Sequence, residues 1–181
     1  GYVLRNAVEK GKWHADNIGN WCHKSSPLNL VTWVESHDTY CNAHESAGLS
    51  SDQIKVAWAF LTARQFGTPL FYNRPNGSNK GNYWGDNIVG KRGNDSFKHP
   101  EVVAVNKFRR EMHGLAENIF YSSNDKVAEV CRGTKGAVIV NASSDIVTVN
   151  MPTTLKNGKY TDSVYGNTFI LQKAMLTGPL Q

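Results

Sequence analysis

No apolar run in this chain approaches the roughly 20 residues a helix needs to cross a bilayer. Cysteine is scarce and unpaired in pattern: Cys22, Cys41 and Cys131 lie far apart and form no CxxC. Neither a zinc site nor a disulfide framework is therefore signalled. A single Cys22–Cys41 bridge stays open in an oxidising compartment, and free buried thiols are the favoured expectation. Concentrated positive charge is also lacking. The net charge is +5, but the basic residues are scattered. The densest group, Lys107, Arg109 and Arg110, falls in one amphipathic segment and reads as a solvated helix face rather than a nucleic-acid site. No loop clusters the acidic side chains that calcium prefers. The chain opens on Gly1 without a basic and apolar leader, which leaves the secretory question open. Tryptophan is absent after residue 84, which matters for the second half.

The chain is rich enough in apolar residues, 40% against 19% charged, to fold as a globule. Residues 1–12, GYVLRNAVEKGK, place Tyr2, Val3, Ala7 and Val8 near helical spacing, with Gly11 as a stop. DNIGNWCHKSSPLN is a connector, and residues 30–35 predict a buried strand. TYCNAHESAGLS reads as a polar loop. SSDQIKVAWAFLTARQF predicts a helix with Ser50 as N-cap, Gln53 at capping-box spacing and Gly67 at the end. TPLFYN is a short strand. RPNGSNKGNYWGDNIVGKRGNDS is too rich in Gly and Asn for a regular element, and a loop this long is usually functional or disordered. HPEVVAVNKFRREMHG is a second clear helix, with Pro100 at its first position, Glu101 in the first turn, Arg109, Arg110 and His113 in the last, and Gly114 at its end.

The character changes near residue 115. NIFYSS, VAEVCR, GAVIVNA, IVTVNM, GKYTDSVY and TFILQ are separated by the turn signals NDK, GTKG, SSD, KNG and YGN. Short strands at that spacing predict an antiparallel sheet or sandwich over 116–181. The part before it, 1–115, is a βα series, which implies a parallel sheet covered by helices. Two strands alone leave two bare edges. Either more βα units precede residue 1, or this part does not fold independently and aggregates when expressed alone.

One stretch carries chemistry. In LVTWVESHDTY an apolar run ends abruptly in Glu35, Ser36, His37 and Asp38. In parallel βα-barrels the active site lies at the carboxyl ends of the strands, so this cluster is a candidate site. The competing reading is a turn cap by Asp38 beside a satisfied histidine. LVTWVESHDTY resembles the last signature stretch of the α-amylase family, glycoside hydrolase family 13, in which the seventh barrel strand ends in a His-Asp pair. SDQIKVAWAFLTARQFGTPLFYNRP resembles the next helix, the eighth strand and its Arg-Pro exit. FKHPEVVAVNKFRREMHG resembles the eighth helix of the compact bacterial saccharifying α-amylases. The β-rich remainder resembles their domain C, an antiparallel Greek-key sandwich.

The resemblance implies the C-terminal part of a (β/α)8 TIM barrel followed by domain C, cut at both ends, with LTGPLQ as the approach to a last strand that is missing. It implies a retaining enzyme that hydrolyses internal α-1,4-glucosidic bonds of starch. Asp38 would stabilise the transition state and His37 would bind hydroxyls of the sugar in the cleaved subsite. The family's nucleophile Asp and acid/base Glu follow the fourth and fifth strands, and neither motif is found here, so this chain alone is expected to be inactive. Secretion, a starch or glucan partner, a monomeric complete enzyme, no nucleic-acid or membrane partner, and calcium held by upstream ligands are implied with it. The alternatives are another family 13 activity (a transglycosidase or maltogenic enzyme) and a non-catalytic glucan-binding protein.

Other candidates are weaker. Tyr83 and Trp84, in the long loop, are aromatics that stack on sugar rings or else pin the loop. Arg74 is expected to pair with a carboxylate and hold that loop. HDTYCNAHE gathers His37, Asp38, Cys41, His44 and Glu45, but at no standard metal spacing, so no metal ligand is nominated. Neither Glu35 nor Glu45 is taken as a substitute catalytic carboxyl. Phe120, Tyr121, Tyr160, Tyr165 and Phe169, without tryptophan, point to core packing and support of the barrel rather than a carbohydrate-binding module, with exposure left open for Tyr160 or Tyr165.

Overall fold

The computed structural model describes residues 1–13, 18 and 24–180; Cys22 and any bridge it makes lie outside the described residues. Among the described residues three helices form the first layer: α1 (Tyr2–Lys10), α2 (Ser51–Ala63) and α3 (Pro100–Glu111). Gly11 ends α1 in the left-handed region at φ 66°, a conformation that suits a residue without a Cβ. The capping box of α2 forms as expected. Gln53 N–H donates to Ser50 Oγ at 3.2 Å, and Ser50 N–H donates to Gln53 Oε1 at 2.9 Å. The same Gln53 side chain donates to the Val8 carbonyl at 3.0 Å and so ties α1 to α2.

Helix α2 stops at Ala63, short of Gly67, because Arg64 turns extended at φ −58°, ψ 151°. The physical reason is a cluster of guanidinium groups. Arg109 donates to the carbonyls of Thr62, Arg64 and Gly67. Arg132, itself only 1% exposed, donates to those of Ala63, Arg64, Met112 and Leu115. Orphan carbonyls and the negative end of the helix dipole are satisfied together. Arg64 in turn holds Glu117 through both carboxylate oxygens at 2.9 Å. Arg109 is thus not the solvated residue its charge cluster suggested. It ties α3 to the end of α2, and Arg132 of the β-rich part binds the same end.

Strands β1 (Val31–Thr32) and β2 (Thr68–Pro69) pair in parallel. The strand expected over 30–35 is therefore only two residues long. Its apolar side chains are not buried either: Val31, Trp33 and, beyond β2, Leu70 are exposed, whereas Val34 and Glu35 are buried. A two-strand sheet has nothing to cover those side chains.

The rest is antiparallel. β3 (Glu117–Tyr121), β4 (Val127–Arg132) and β5 (Gly136–Asn141) form one sheet in that order. β6 (Val147–Pro152), β7 (Gly158–Thr161), β8 (Thr168–Gln172) and β9 (Met175–Leu180) form another, ordered β6-β9-β8-β7. LTGPLQ, expected only as an approach to a strand, belongs up to Leu180 to β9, which lies between β6 and β8. β9 passes so close to β8 that a Cβ on Gly178 would lie 2.6 Å from the Phe169 ring.

Every residue of β4 is buried, because it is covered on both faces. Ala128 and Val130 join Trp58, Phe60 and Val105 in a core shared with the helices. Val127 joins Val149, Met151, Phe169, Leu171 and Leu176 in a second core between the two sheets. The aromatics of this half follow the packing expectation, except that Tyr165 is exposed and reaches Glu101 with its hydroxyl at 2.7 Å.

The second core also buries Glu129 completely. Its Oε1 accepts from Thr153 Oγ1 at 3.1 Å, and its Oε2 has no partner. Burial pushes its carboxyl up to about 7 from 4.5, against the lowering effect of the Thr153 hydroxyl and the Cys131 thiol nearby. The folded protein therefore keeps a proton between pH 4.5 and 7 that the unfolded chain gives up. Stability falls as pH rises through that window, by about 3 kcal/mol in all. Urea unfolding at pH 5 and pH 8 should show this loss in the wild type, and Glu129→Gln should largely abolish it. Equal pH slopes in the two proteins would refute the assignment.

Candidate active site

The Glu35–Asp38 cluster follows β1 at its carboxyl end. Two reciprocal hydrogen bonds lock it: Ser36 N–H donates to Thr39 Oγ1 at 2.9 Å, and Thr39 N–H donates to Ser36 Oγ at 3.4 Å. The chain then winds into one wide helical turn over Asp38–Asn42. Tyr40 and Cys41 on that turn are buried, so the loop expected to be merely polar has its own anchor. Cys41 lies 3.3 Å from the Tyr72 hydroxyl and donates to the Tyr83 carbonyl at 3.4 Å. Cys41 and Cys131 are both free and buried.

His37 and Asp38 project from this fixed turn into solvent, with side chains 62% and 68% exposed. Their nearest polar atoms are 3.4 Å apart. Asp38 Oδ1 accepts from Asn42 Nδ2 at 2.9 Å, and its Oδ2 takes no protein hydrogen bond among the described residues. A carboxylate so presented has lone pairs free for hydroxyl donors.

Behind the pair sits a buried ion pair. Arg74 grips Glu35 with Nε and Nη2, the three contacts spanning 3.0 to 3.2 Å. Glu35 is 3% exposed. Nη2 also donates to the carbonyls of Ser46 and Leu49, and the guanidinium lies 4.3 Å from the centre of the Tyr40 ring. Arg74 thus pairs with a carboxylate and holds its loop, as the sequence suggested. One side chain joins the end of β1, the segment over 40–49 and the exit from β2.

The long loop over 73–98 docks on the same turn. Tyr83 packs edge-on to Tyr40 with centroids 5.6 Å apart and lies beneath the His44 ring at 4.0 Å. Tyr40 also donates its hydroxyl to Ser78 at 3.0 Å. Tyr83 is half-buried by these contacts, whereas its neighbour Trp84 is 40% exposed. Sequence reasoning missed Tyr40, Tyr72 and His44 as the parts that set this geometry. The available signal was an aromatic two residues after the His-Asp pair, within an otherwise polar run.

The remaining candidates disperse. Glu45 pairs with Arg5 at 2.7 Å, His44 Nε2 lies 3.0 Å from the Cys41 carbonyl, and Cys41 turns inward. Among the described residues no three His, Cys, Asp or Glu side chains come together as a metal ion requires.

No family model matches the chain. It is 38% identical to an alpha-amylase of Butyrivibrio fibrisolvens over all of this chain and 20% of that protein. It is also 38% identical to an alpha-amylase of Clostridium acetobutylicum over 87% of this chain and 19% of that protein. In structure, alpha-amylase I of Eisenia fetida superposes with a TM-score of 0.72 at 18% identity, covering 97% of this chain and 44% of that chain. A cyclomaltodextrinase superposes at 0.58 with 16% identity, covering 99% of this chain and 34% of the other. At such identities the structural likeness speaks for the fold alone. The sequence matches, covering the whole chain in one case, make it similar to a part of the alpha-amylases, and it spans about a fifth of the length of the curated relatives it matches.

Proposed function

We propose that this chain is the C-terminal part of the catalytic barrel plus domain C of a secreted, retaining family 13 α-amylase that cleaves internal α-1,4-glucosidic bonds of starch. The observation that carries the reading is the exposed Asp38 carboxylate, held with His37 on a locked turn at the carboxyl end of a parallel strand. β1 and β2 take the places of the seventh and eighth barrel strands, and the exposed Val31, Trp33 and Leu70 are the side chains the rest of the barrel would cover. The β6-β9-β8-β7 order supports a Greek key, since three hairpin-linked strands have the fourth lying beside the far one.

In this reading Asp38 accepts hydroxyl hydrogen bonds from the sugar in the cleaved subsite. The ring becomes oxocarbenium-like in the transition state, so a nearby carboxylate binds that state more tightly than the ground state. His37 contributes a further hydrogen bond to the same sugar. Trp84 offers a stacking face, with Tyr83 packed beside it. The nucleophile Asp and acid/base Glu belong to upstream strands, as do the calcium ligands, and the complete enzyme is a monomer.

Sequencing the source template on both sides tests this directly. The upstream frame should supply an Asp after a fourth strand and a Glu after a fifth. The complete product should thin soluble starch rapidly and release short oligosaccharides, and residues 1–181 alone should release no reducing sugar. A frame that starts at Gly1 would sink the enzyme reading.

A further inference from the structure

The main chain around Asp38 is fixed, but its carboxylate stands in solvent. The side chain is 68% exposed, and the terminal torsion of an aspartate is broad when nothing restrains it. An electrostatic contact to a developing charge is worth most when its geometry is set in advance. The locked turn therefore leaves one degree of freedom to be restrained. Asn42 is placed to restrain it. It closes the wide turn that Asp38 opens, in which the Ala43 N–H donates to the Asp38 carbonyl at 2.7 Å. Single wide turns of this kind are frequent at functional sites. Residues four apart on a helical turn share a face. Asn42 accordingly lies beside Asp38 on the exposed side, while Tyr40 and Cys41 between them are buried.

The contacts of the Asp38 carboxylate are asymmetric. Asn42 Nδ2 donates to Oδ1 at 2.9 Å, and His37 Nε2 lies 3.4 Å from the same oxygen. Which end of the amide faces Asp38 is settled by chemistry, because an ionised carboxylate only accepts. Both neighbours hold one oxygen and leave Oδ2 for a ligand. The histidine contact is long for an N–H···O bond, so the amide is the principal restraint. Among the described residues the Asn42 side chain makes no second hydrogen bond. Its amide is committed to Asp38 rather than to the fold.

Resting on the role of Asp38 proposed above, we propose that Asn42 is a positioning residue: its amide clamps Asp38 Oδ1 and so turns the free Oδ2 toward the hydroxyls of the sugar in the cleaved subsite. It touches the carboxylate and not the sugar, and it acts on rate rather than on binding. Removing the amide frees the terminal torsion, and the carboxylate must then be re-oriented in every turnover. Misplacing a reacting contact by about 1 Å costs on the order of a hundredfold. Asn42→Asp does something different. At low pH its two carboxyls share one proton, and the O–H donates in place of the amide. Once both ionise they repel each other and splay apart. His37 is the one titratable group in contact with Asp38 among the described residues, and it is common to wild type and variant.

The test is steady-state kinetics across pH on a defined maltooligosaccharide, with the complete enzyme carrying Asn42→Ala, Asn42→Asp or, as reference, Asp38→Asn. Asn42→Ala should lower kcat about thirtyfold, with KM within about threefold of wild type. Asn42→Asp should come within about threefold of the wild-type kcat at about pH 5 and lose at least about tenfold more, relative to wild type, by about pH 8. A role in folding alone gives no such pH dependence. An unchanged kcat in Asn42→Ala overturns the proposal. A raised KM with kcat intact overturns it in favour of direct contact with substrate, and an Asn42→Asp profile parallel to wild type overturns it as well. Collapse of kcat in Asp38→Asn but not in Asn42→Ala removes the positioning role and leaves the catalytic one. An unchanged kcat in Asp38→Asn removes both.

Discussion

Replacing Asp38 with Asn in the complete enzyme is expected to lower kcat about a thousandfold, with KM changing far less. The substitution keeps size and shape, and the turn that carries residue 38 does not depend on its charge. That turn is held by Ser36, Thr39 and the buried Tyr40. Only the negative charge and its strong acceptor character are lost. Those matter most when positive charge develops on the sugar ring. A thousandfold corresponds to about 4 kcal/mol of transition-state stabilisation, the scale found when one preorganised electrostatic contact is removed. A ground-state role would instead raise KM with kcat intact. Steady-state kinetics on a defined maltooligosaccharide separates the two, and an unchanged kcat removes the assignment.

Arg74→Met is expected to destabilise the protein by about 4 kcal/mol, because it leaves Glu35 buried without its cation. The side chain of Glu35 is only 3% exposed, so water cannot replace the guanidinium. The carbonyls of Ser46 and Leu49 lose a donor at the same time. Pairing the change with Glu35→Leu removes the stranded charge, and the double variant should recover more than half of the loss. Thermal unfolding of the single and double variants measures this coupling. A double variant as unstable as Arg74→Met alone would show that the loop contacts, and not the ion pair, dominate.

The helices were legible because their signals are local. Ser50 and Gln53 sit three residues apart, and Pro100 opens its helix, so neighbouring side chains decide each helix start. Strands β4 and β8 were legible for the same reason, as runs bounded by turn residues. The end of α2 was not legible, because it depends on Arg109 and Arg132, which lie about 45 and 68 residues from the Arg64 carbonyl they bind. The burial of Glu129 was equally invisible: one carboxylate in VAEVCR reads as a solvent-facing position until a second sheet covers it.

The candidate site divides in the same way. His37 and Asp38 stand out in the sequence because a charged cluster ends an apolar run, and that contrast needs no third dimension. By itself the sequence singled out His37 and Asp38 as the candidates for chemistry, and Arg74 as a side chain that pairs with a carboxylate to hold the long loop. Only the tertiary structure decided that Glu35 is its partner, that Tyr40 and His44 clasp Tyr83, and that Trp84 stays exposed. The reason is physical. Chemistry resides in side-chain identity, which is written locally, whereas exposure and pairing arise from contacts between segments tens of residues apart.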